Sequence, residues 1–250
     1  MVSVTNRVKQ VKQPRGGYIK PKEFNVINRV DDKELYGNEN IHSILMGITV
    51  DYLARFTMGT PKEIAFKIAI LGSQLVNEYD YAMELLEGVV GIDNQSINNA
   101  CKLAGFDSAY RAGKRAYVPV QSINADNDTI SNVKIMVERS VSFWKDYGPV
   151  VQEGFMFEGG YTEIVSTGDG DFLTESTLWD FKVSKNEPTN KHTLQLLMYY
   201  LMGKHSVHEE FQKIEQLGIF NPRLNKVYLL DINEISEEVI TRVSSEVIGY

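Results

Sequence analysis

The run from residue 177 to 183, TLWDFKV, places the strongest local constraint on how this chain folds. It is rich in β-branched and aromatic residues, which predicts a β-strand. Because side chains alternate across a strand, Asp180 and Lys182 are expected on one face and Trp179 and Phe181 on the other. The second face is apolar, so it is expected to point at a core.

A second strand is predicted from Tyr161 to Leu173, with the polar residues 174–177 as the turn between the two strands. With the hairpin centred in the middle of that turn, Asp171 lies directly opposite Asp180. Like charges at opposed positions destabilise a sheet, but a cation such as Mg²⁺ takes carboxylate oxygens as ligands. The spacing therefore predicts a hairpin that gathers two carboxylates around a divalent cation.

The segment from 191 to 203 is predicted to be a helix, because leucine and methionine recur in it at the spacing of one helical face. His192, Gln195 and Tyr199 occupy positions i, i+3 and i+7, which places them in a polar stripe beside that face. His192 is expected to be a first-turn surface residue rather than a metal ligand. The helix is expected to link the hairpin to a strand over 226–232 as a parallel crossover.

The order of these elements resembles the PD-(D/E)xK nuclease superfamily: an acidic residue in a β-turn-β element, then Asp-x-Lys, then Gln-x-x-x-Tyr on the following helix. The element from Gln195 to Tyr199 resembles its RecB-like exonuclease branch in particular. The resemblance is firmest over residues 150–232. It implies an α/β (α+β) fold of the restriction-endonuclease type, with a mixed central β-sheet flanked by helices and a helical N-terminal region. It also implies Mg²⁺ (or Mn²⁺) as the cofactor.

The resemblance assigns roles to four residues of the hairpin. Asp171 and Asp180 are implied to be metal ligands, helped by the backbone carbonyl of Phe181. Lys182 is implied to be the catalytic lysine, which orients or deprotonates the attacking water or stabilises the developing negative charge. Together these roles imply metal-dependent hydrolysis of DNA phosphodiester bonds.

Two helical elements complete the implied site. Gln195 and Tyr199 are implied to hold the lysine or the substrate phosphate in place. The RecB-like branch also has an upstream Gly-x-x-x-His helix whose histidine reaches the metal. The segment from Gly47 to Asp51 fits that frame with aspartate in the place of histidine. Asp51 is therefore a candidate third metal ligand, and the alternative is an acid on a helix face that is exposed to water.

Charge bears on substrate binding. The net charge of −7 argues mildly against a general nucleic-acid binder, but two basic stretches are present. Residues 1–22 carry six lysines and arginines and no acid, and Arg111, Lys114 and Arg115 form a second cluster. Either stretch is expected to contact phosphates, and the alternative for the first is a flexible solvated arm. Arg223 is expected to reach a phosphate or to lie at the surface.

The sequence also predicts how the chain is divided into regions and where in the cell the protein is found. Residues 1–40 are predicted to be an irregular basic arm and residues 41–250 a nuclease domain, of which 41–147 is mainly helical and 148–250 holds the sheet and metal site. No apolar run approaches the eighteen residues that a membrane span needs. The N-terminus lacks a signal-peptide core. With Cys101 as the single cysteine, no internal disulfide can form, and a cytoplasmic location is expected.

The preferred hypothesis is an exonuclease of the recombination/repair or phage type, acting on linear duplex or single-stranded DNA. No Walker A pattern is present, so any helicase or ATPase motor is expected to be a separate chain. A helicase or a recombination protein is therefore a candidate partner. Two alternatives stay open. One is a restriction-like endonuclease on the same fold. The other is a catalytically silent module that binds DNA or docks a helicase.

Overall fold

The computed structural model describes residues 2–250 and contains two compact units. The first, called the sheet unit here, consists of the chain up to Val30 together with residues 144–250. The second, called the helical unit, runs from Asp31 to Phe143. The first thirty residues thus belong with the sheet, which differs from the expected boundary after residue 40.

Six β-strands and ten α-helices are present among residues 2–250. The strands are β1 (Asn25–Asn28), β2 (Gln152–Phe155), β3 (Gly170–Leu173), β4 (Thr177–Phe181), β5 (Gln216–Asn221) and β6 (Lys226–Asp231). The helices are α1 (Val4–Gln10), α2 (Ser43–Thr57), α3 (Lys62–Ala65), α4 (Lys67–Leu75), α5 (Tyr79–Glu87), α6 (Asn94–Gly105), α7 (Asp107–Ala112), α8 (Asn127–Tyr147), α9 (Asn190–His205) and α10 (Glu237–Arg242). A π-helical turn, Val243–Ile248, follows α10. None of these helices combines the length and apolar character that crossing a bilayer requires.

The six strands form one mixed sheet in the order β1-β6-β5-β4-β3-β2. Strands β4 and β5 run parallel, and all other neighbours run antiparallel. The predicted mixed sheet flanked by helices is therefore confirmed. Helix α9 does form the connection between two parallel strands, but it leads to β5 rather than to the strand over 226–232. That strand, β6, returns antiparallel beside β5.

The hairpin has the predicted register. Phe172 pairs with Trp179 and Leu173 pairs with Leu178, and the ladder ends one residue before the predicted pair of Asp171 with Asp180. The first strand is much shorter than predicted, because β3 begins only at Gly170. Upstream, the Thr162 hydroxyl accepts hydrogen bonds from the N–H groups of Ile164 and Val165. Such local bonds compete with ladder pairing and end the extended run.

Both faces of the hairpin are buried. Trp179 packs edge-on against the rings of Trp144 and Tyr147, with centroids 6.2 and 5.4 Å apart, which confirms the predicted apolar face. Gly218 pairs with Trp179, and a Cβ there would lie 2.3 Å from the indole ring, so the absent side chain makes room for it. On the opposite face Leu178 joins the core under α9. Asp180 shares that face and is therefore buried as well.

The expected irregular arm is wrong over two stretches. Ser3 caps α1 by accepting a hydrogen bond from the Asn6 N–H at 3.2 Å, and Val4 and Val8, one helical turn apart, are buried. Further along, β1 pairs with β6 and forms one edge of the sheet. Between these two elements lie Pro14, Gly16, Gly17 and Pro21, residue types that interrupt regular structure.

Candidate metal and active site

The candidate site lies where β3 and β4 separate. Their ladder ends at the pair of Phe172 with Trp179. Two residues further along β4, the backbone N–H of Phe181 donates to Oδ2 of Asp171 at 2.8 Å. The carboxylate thus accepts from an N–H group that the β3–β4 ladder does not pair. This bond holds Asp171 against β4, next to Asp180.

Asp180 is the most deeply buried member of the site. It is 1% exposed, and its Oδ1 accepts a hydrogen bond from Nζ of Lys182 at 2.9 Å. Its Oδ2 is buried and has no hydrogen-bond partner within residues 2–250. A buried carboxylate oxygen without a donor costs free energy. A cation is the kind of ligand that would satisfy it.

Lys182 is held as a cation by the surrounding carboxylates. Burial alone would lower the pKa of Lys182, but the negative charges of Asp180 and Asp171, with a smaller contribution from Asp169, raise it above its ordinary value. The lysine therefore carries a full positive charge at neutral pH. Its charge offsets part of the repulsion between the acids.

Helix α9 brings the predicted polar stripe to the carboxylates. Nε2 of Gln195 donates to the hydroxyl oxygen of Tyr199 at 2.7 Å. Burial raises the pKa of Tyr199 well above its usual value, and the charges of Asp180 and Asp171 raise it further. The phenol therefore stays protonated and lies close enough to both acids for their charges to act on it.

His192 occupies a different environment from the predicted one. Its Nδ1 accepts a hydrogen bond from the backbone N–H of Thr189 at 3.1 Å, so the ring caps α9. Burial and the charge of Lys182 lower the pKa of His192. The ring therefore lies beside the candidate site and is not a fully exposed surface residue. The sequence contained a signal for this cap. In a capping box, the side chain three positions after the N-cap threonine bonds back to the backbone N–H of that threonine.

Asp169 is an acid that is not among the predicted site residues. Its charge raises the pKa of both Lys182 and Tyr199, so it belongs to the electrostatic surroundings of the site. The sequence contained a signal for this placement, because side chains two positions apart in an extended chain, such as Asp169 and Asp171, point to the same face. Among residues 2–250, no three His, Cys, Asp or Glu side chains are arranged to hold a metal ion.

Four other predicted site residues belong to the helical unit. Asp51 belongs to the helical unit, where it forms an ion pair with Arg55 on the next turn of α2. Arg111, Lys114 and Arg115 also belong to that unit and are exposed. Their roles as ligand and phosphate contacts stay predictions.

Arg223 lies in the turn between β5 and β6 of the sheet unit. It is 9% exposed, so the expectation of a surface arginine is wrong. The turn is closed by the side chain of Asn221, whose Oδ1 accepts from the Arg223 backbone N–H at 3.0 Å. The predicted phosphate contact of Arg223 stays a prediction.

The helical unit contains a buried acid of its own. Asp107 is 2% exposed, accepts a hydrogen bond from the Tyr52 hydroxyl and receives a longer one, 3.3 Å, from Nε of Arg111. Burial raises the pKa of Asp107 from 3.8 to about 6, against the lowering effect of those two partners. The folded protein therefore binds this proton more tightly than the unfolded chain does.

This raised pKa predicts a pH-dependent loss of stability. Between pH 3.8 and about 6 the folded state holds more protons at Asp107 than the unfolded state, so stability falls as the pH rises through that window. Relative to Asp107→Asn, which cannot ionise but can still accept from Tyr52, the wild type is expected to lose up to about 3 kcal/mol. Urea unfolding of both proteins across the window measures this. A difference in unfolding free energy between the two proteins that stays constant across this pH window would contradict the prediction.

No family model, curated protein or solved structure matches this chain.

Proposed function

We propose that this protein is a metal-dependent nuclease that hydrolyses DNA phosphodiester bonds on a restriction-endonuclease-like sheet. The observation that carries the proposal is the buried Oδ2 of Asp180, which has no hydrogen-bond partner in the described chain. Asp171 lies next to it, since its carboxylate accepts from the N–H of Phe181, the residue after Asp180. Folding does not leave an acid in that position without cost. A cation-binding role accounts for both the burial and the missing partner.

The donor set suits a hard divalent cation. Asp171, Asp180 and the carbonyl of Phe181 would hold Mg²⁺ or Mn²⁺, with water completing the shell, because Mg²⁺ commonly binds proteins through one or two carboxylates. The bound ion would supply a water of lowered pKa and would offset negative charge on the phosphate. Asp51 remains a candidate for a further ligand.

The other residues act on the water and the phosphate. Lys182, kept cationic by the acids, would orient the attacking water and stabilise the negative charge that develops on the phosphate oxygens. Tyr199 keeps its proton and accepts from Gln195, so it retains a hydrogen to donate to the substrate phosphate or to an acid. Gln195 fixes the orientation of that hydroxyl.

The glutamine–tyrosine helix favours an exonuclease of the recombination/repair or phage type, since it is the element that resembles that branch. In this proposal Arg111, Lys114, Arg115 and Arg223 would contact DNA phosphates. A restriction-like endonuclease on the same fold is the nearest alternative. A silent module that binds DNA or docks a helicase is the alternative of another class. The intact set of two acids and a lysine disfavours it.

One assay separates these functions. The protein is incubated with linear duplex, single-stranded and covalently closed circular DNA in Mg²⁺, Mn²⁺ or EDTA. An exonuclease degrades the linear substrates and spares the circle, an endonuclease also nicks the circle, and EDTA stops either reaction. A DNA-binding module shifts mobility without cleavage, and a docking subunit does neither. Asp171→Asn, purified identically, controls for contaminating nucleases.

A further inference from the structure

The basic N-terminal stretch is part of the folded sheet unit. Val4 and Val8 are buried in the core that also contains α9. The guanidinium of Arg7 donates to the backbone carbonyls of Glu246 and Val247, each at 2.8 Å. These contacts fix the start of the chain, so its lysines and arginines project from a defined backbone.

Residues 14–17 form a tight turn within this stretch. The N–H of Gly17 donates to the carbonyl of Pro14 at 2.9 Å. Gly16 and Gly17 have φ values of +92° and +104°, which residues with a side chain rarely adopt. Arg15 therefore stands at the exposed tip of a turn that the glycines make possible.

The turn is attached to the first turn of α9. Nε2 of Gln13 donates to the carbonyl of Asn190 at 3.1 Å, and the hydroxyl of Thr193 donates to the carbonyl of Ile19 at 2.7 Å. A Cβ on Gly17 would lie 2.6 Å from Cβ of Asn190, so the two backbones are in close contact. This end of α9 also carries His192, whose pKa is lowered by the charge of Lys182 in the candidate site.

Most of the positive charge of the stretch is not neutralised. Lys20 lies 3.8 Å from Glu23, and Arg7 is bound to the carbonyls described above. Four exposed cations have no ion-pair partner in the part of the chain that the structure describes: Lys9, Lys12, Arg15 and Lys22. On a chain of net charge −7, these side chains provide a positive surface on the stretch that is attached to the first turn of α9.

We propose that this basic stretch, centred on Lys12 and Arg15, binds the phosphate backbone of DNA next to the site of cleavage. The inference rests on the nuclease function proposed above and names the surface that delivers the substrate strand. The contact is with phosphates rather than bases, because Tyr18, the one aromatic residue among positions 2–22, is covered by the guanidinium of Arg242 at 5.6 Å. Binding should therefore be independent of base sequence and sensitive to salt.

The test compares two double variants with the same change in charge. Lys12→Glu with Arg15→Glu removes the proposed contact. Lys134→Glu with Lys213→Glu alters two exposed lysines outside the stretch. Fluorescence anisotropy with labelled single-stranded and duplex oligonucleotides, in EDTA and over a range of NaCl concentrations, gives Kd and its salt dependence. Initial rates in Mg²⁺ give KM and kcat.

The Lys12/Arg15 variant is expected to raise Kd about tenfold or more and to reduce the salt slope by nearly one for each lost phosphate contact. Its KM should rise with little change in kcat, and the Lys134/Lys213 variant should resemble the wild type. Lys12→Gln with Arg15→Gln, which only neutralises the charges, should show a smaller shift of the same kind. Equal effects in the two charge-reversed variants, or unchanged Kd in the first, would overturn the inference. Wild type that binds through this stretch but never cleaves would overturn the nuclease function alone.

Discussion

Replacing Lys182 with methionine is expected to reduce metal-dependent DNA cleavage by about 10²- to 10⁴-fold, the usual contribution of a positioned acid–base group. The same change is expected to destabilise the metal-free protein. Without the Nζ that donates at 2.9 Å, Oδ1 of the buried Asp180 carboxylate would lose its hydrogen bond, and Oδ2 has no partner in the described chain to begin with. Removing one partner of a buried pair typically costs about 3–5 kcal/mol.

A double variant separates the catalytic loss from the structural one. Asp180→Asn combined with Lys182→Met removes both charges, so stability in EDTA should recover most of what the single variant loses. Cleavage should not recover in the double variant. Urea unfolding and initial cleavage rates measure the two effects independently. A Lys182→Met protein with wild-type cleavage would remove the mechanism proposed for this lysine.

Asp171→Asn is expected to lower cleavage by about 10³-fold or more and to abolish stabilisation by the metal. An asparagine oxygen can still accept from the Phe181 N–H, so the fold should be retained. In EDTA its Tm should equal or exceed that of the wild type, because one of two opposed negative charges is gone. The wild type should gain about 2.7 kcal/mol at a Mg²⁺ concentration a hundredfold above Kd, and the variant should gain almost none.

A matched acid at the other end of the sheet serves as the control. Asp231 also accepts from a backbone N–H at 2.8 Å, that of Asn233, and its strand position pairs with Gln216 rather than with the residues beside Asp180. Asp231→Asn should therefore keep both the Mg²⁺-dependent rise in Tm and the cleavage rate. A Tm of Asp171→Asn that still rises with Mg²⁺ as in the wild type would show that Asp171 is not a ligand.

Local periodicity predicted much of the candidate site. Alternation along β4 correctly separated Asp180 from Trp179, and the turn between the strands set the pairing of Phe172 with Trp179. Helical spacing likewise placed Gln195 and Tyr199 on one stripe of α9. These predictions succeeded because a strand and a helix each repeat their side-chain directions at a fixed period.

The predictions that failed involve partners distant in the chain. The stretch expected to be an irregular arm is held by the bond from Gln13 to Asn190, 177 positions away, and by that from Arg7 to Val247, 240 positions away. Strand β1 likewise exists through its pairing with β6. No local pattern near residue 13 or residue 7 specifies such partners, because they become neighbours only when the core forms.

The amino-acid order alone thus specified which polar groups share a face: the two acids and the lysine on the hairpin, and the glutamine and tyrosine on the helix. Tertiary packing decided their chemistry. By covering the Asp180 face with α9, it removed water from one carboxylate oxygen and raised the pKa of Tyr199. Burial depends on elements that approach from distant parts of the chain, and it is burial that leaves a carboxylate oxygen without water and a tyrosine with a raised pKa.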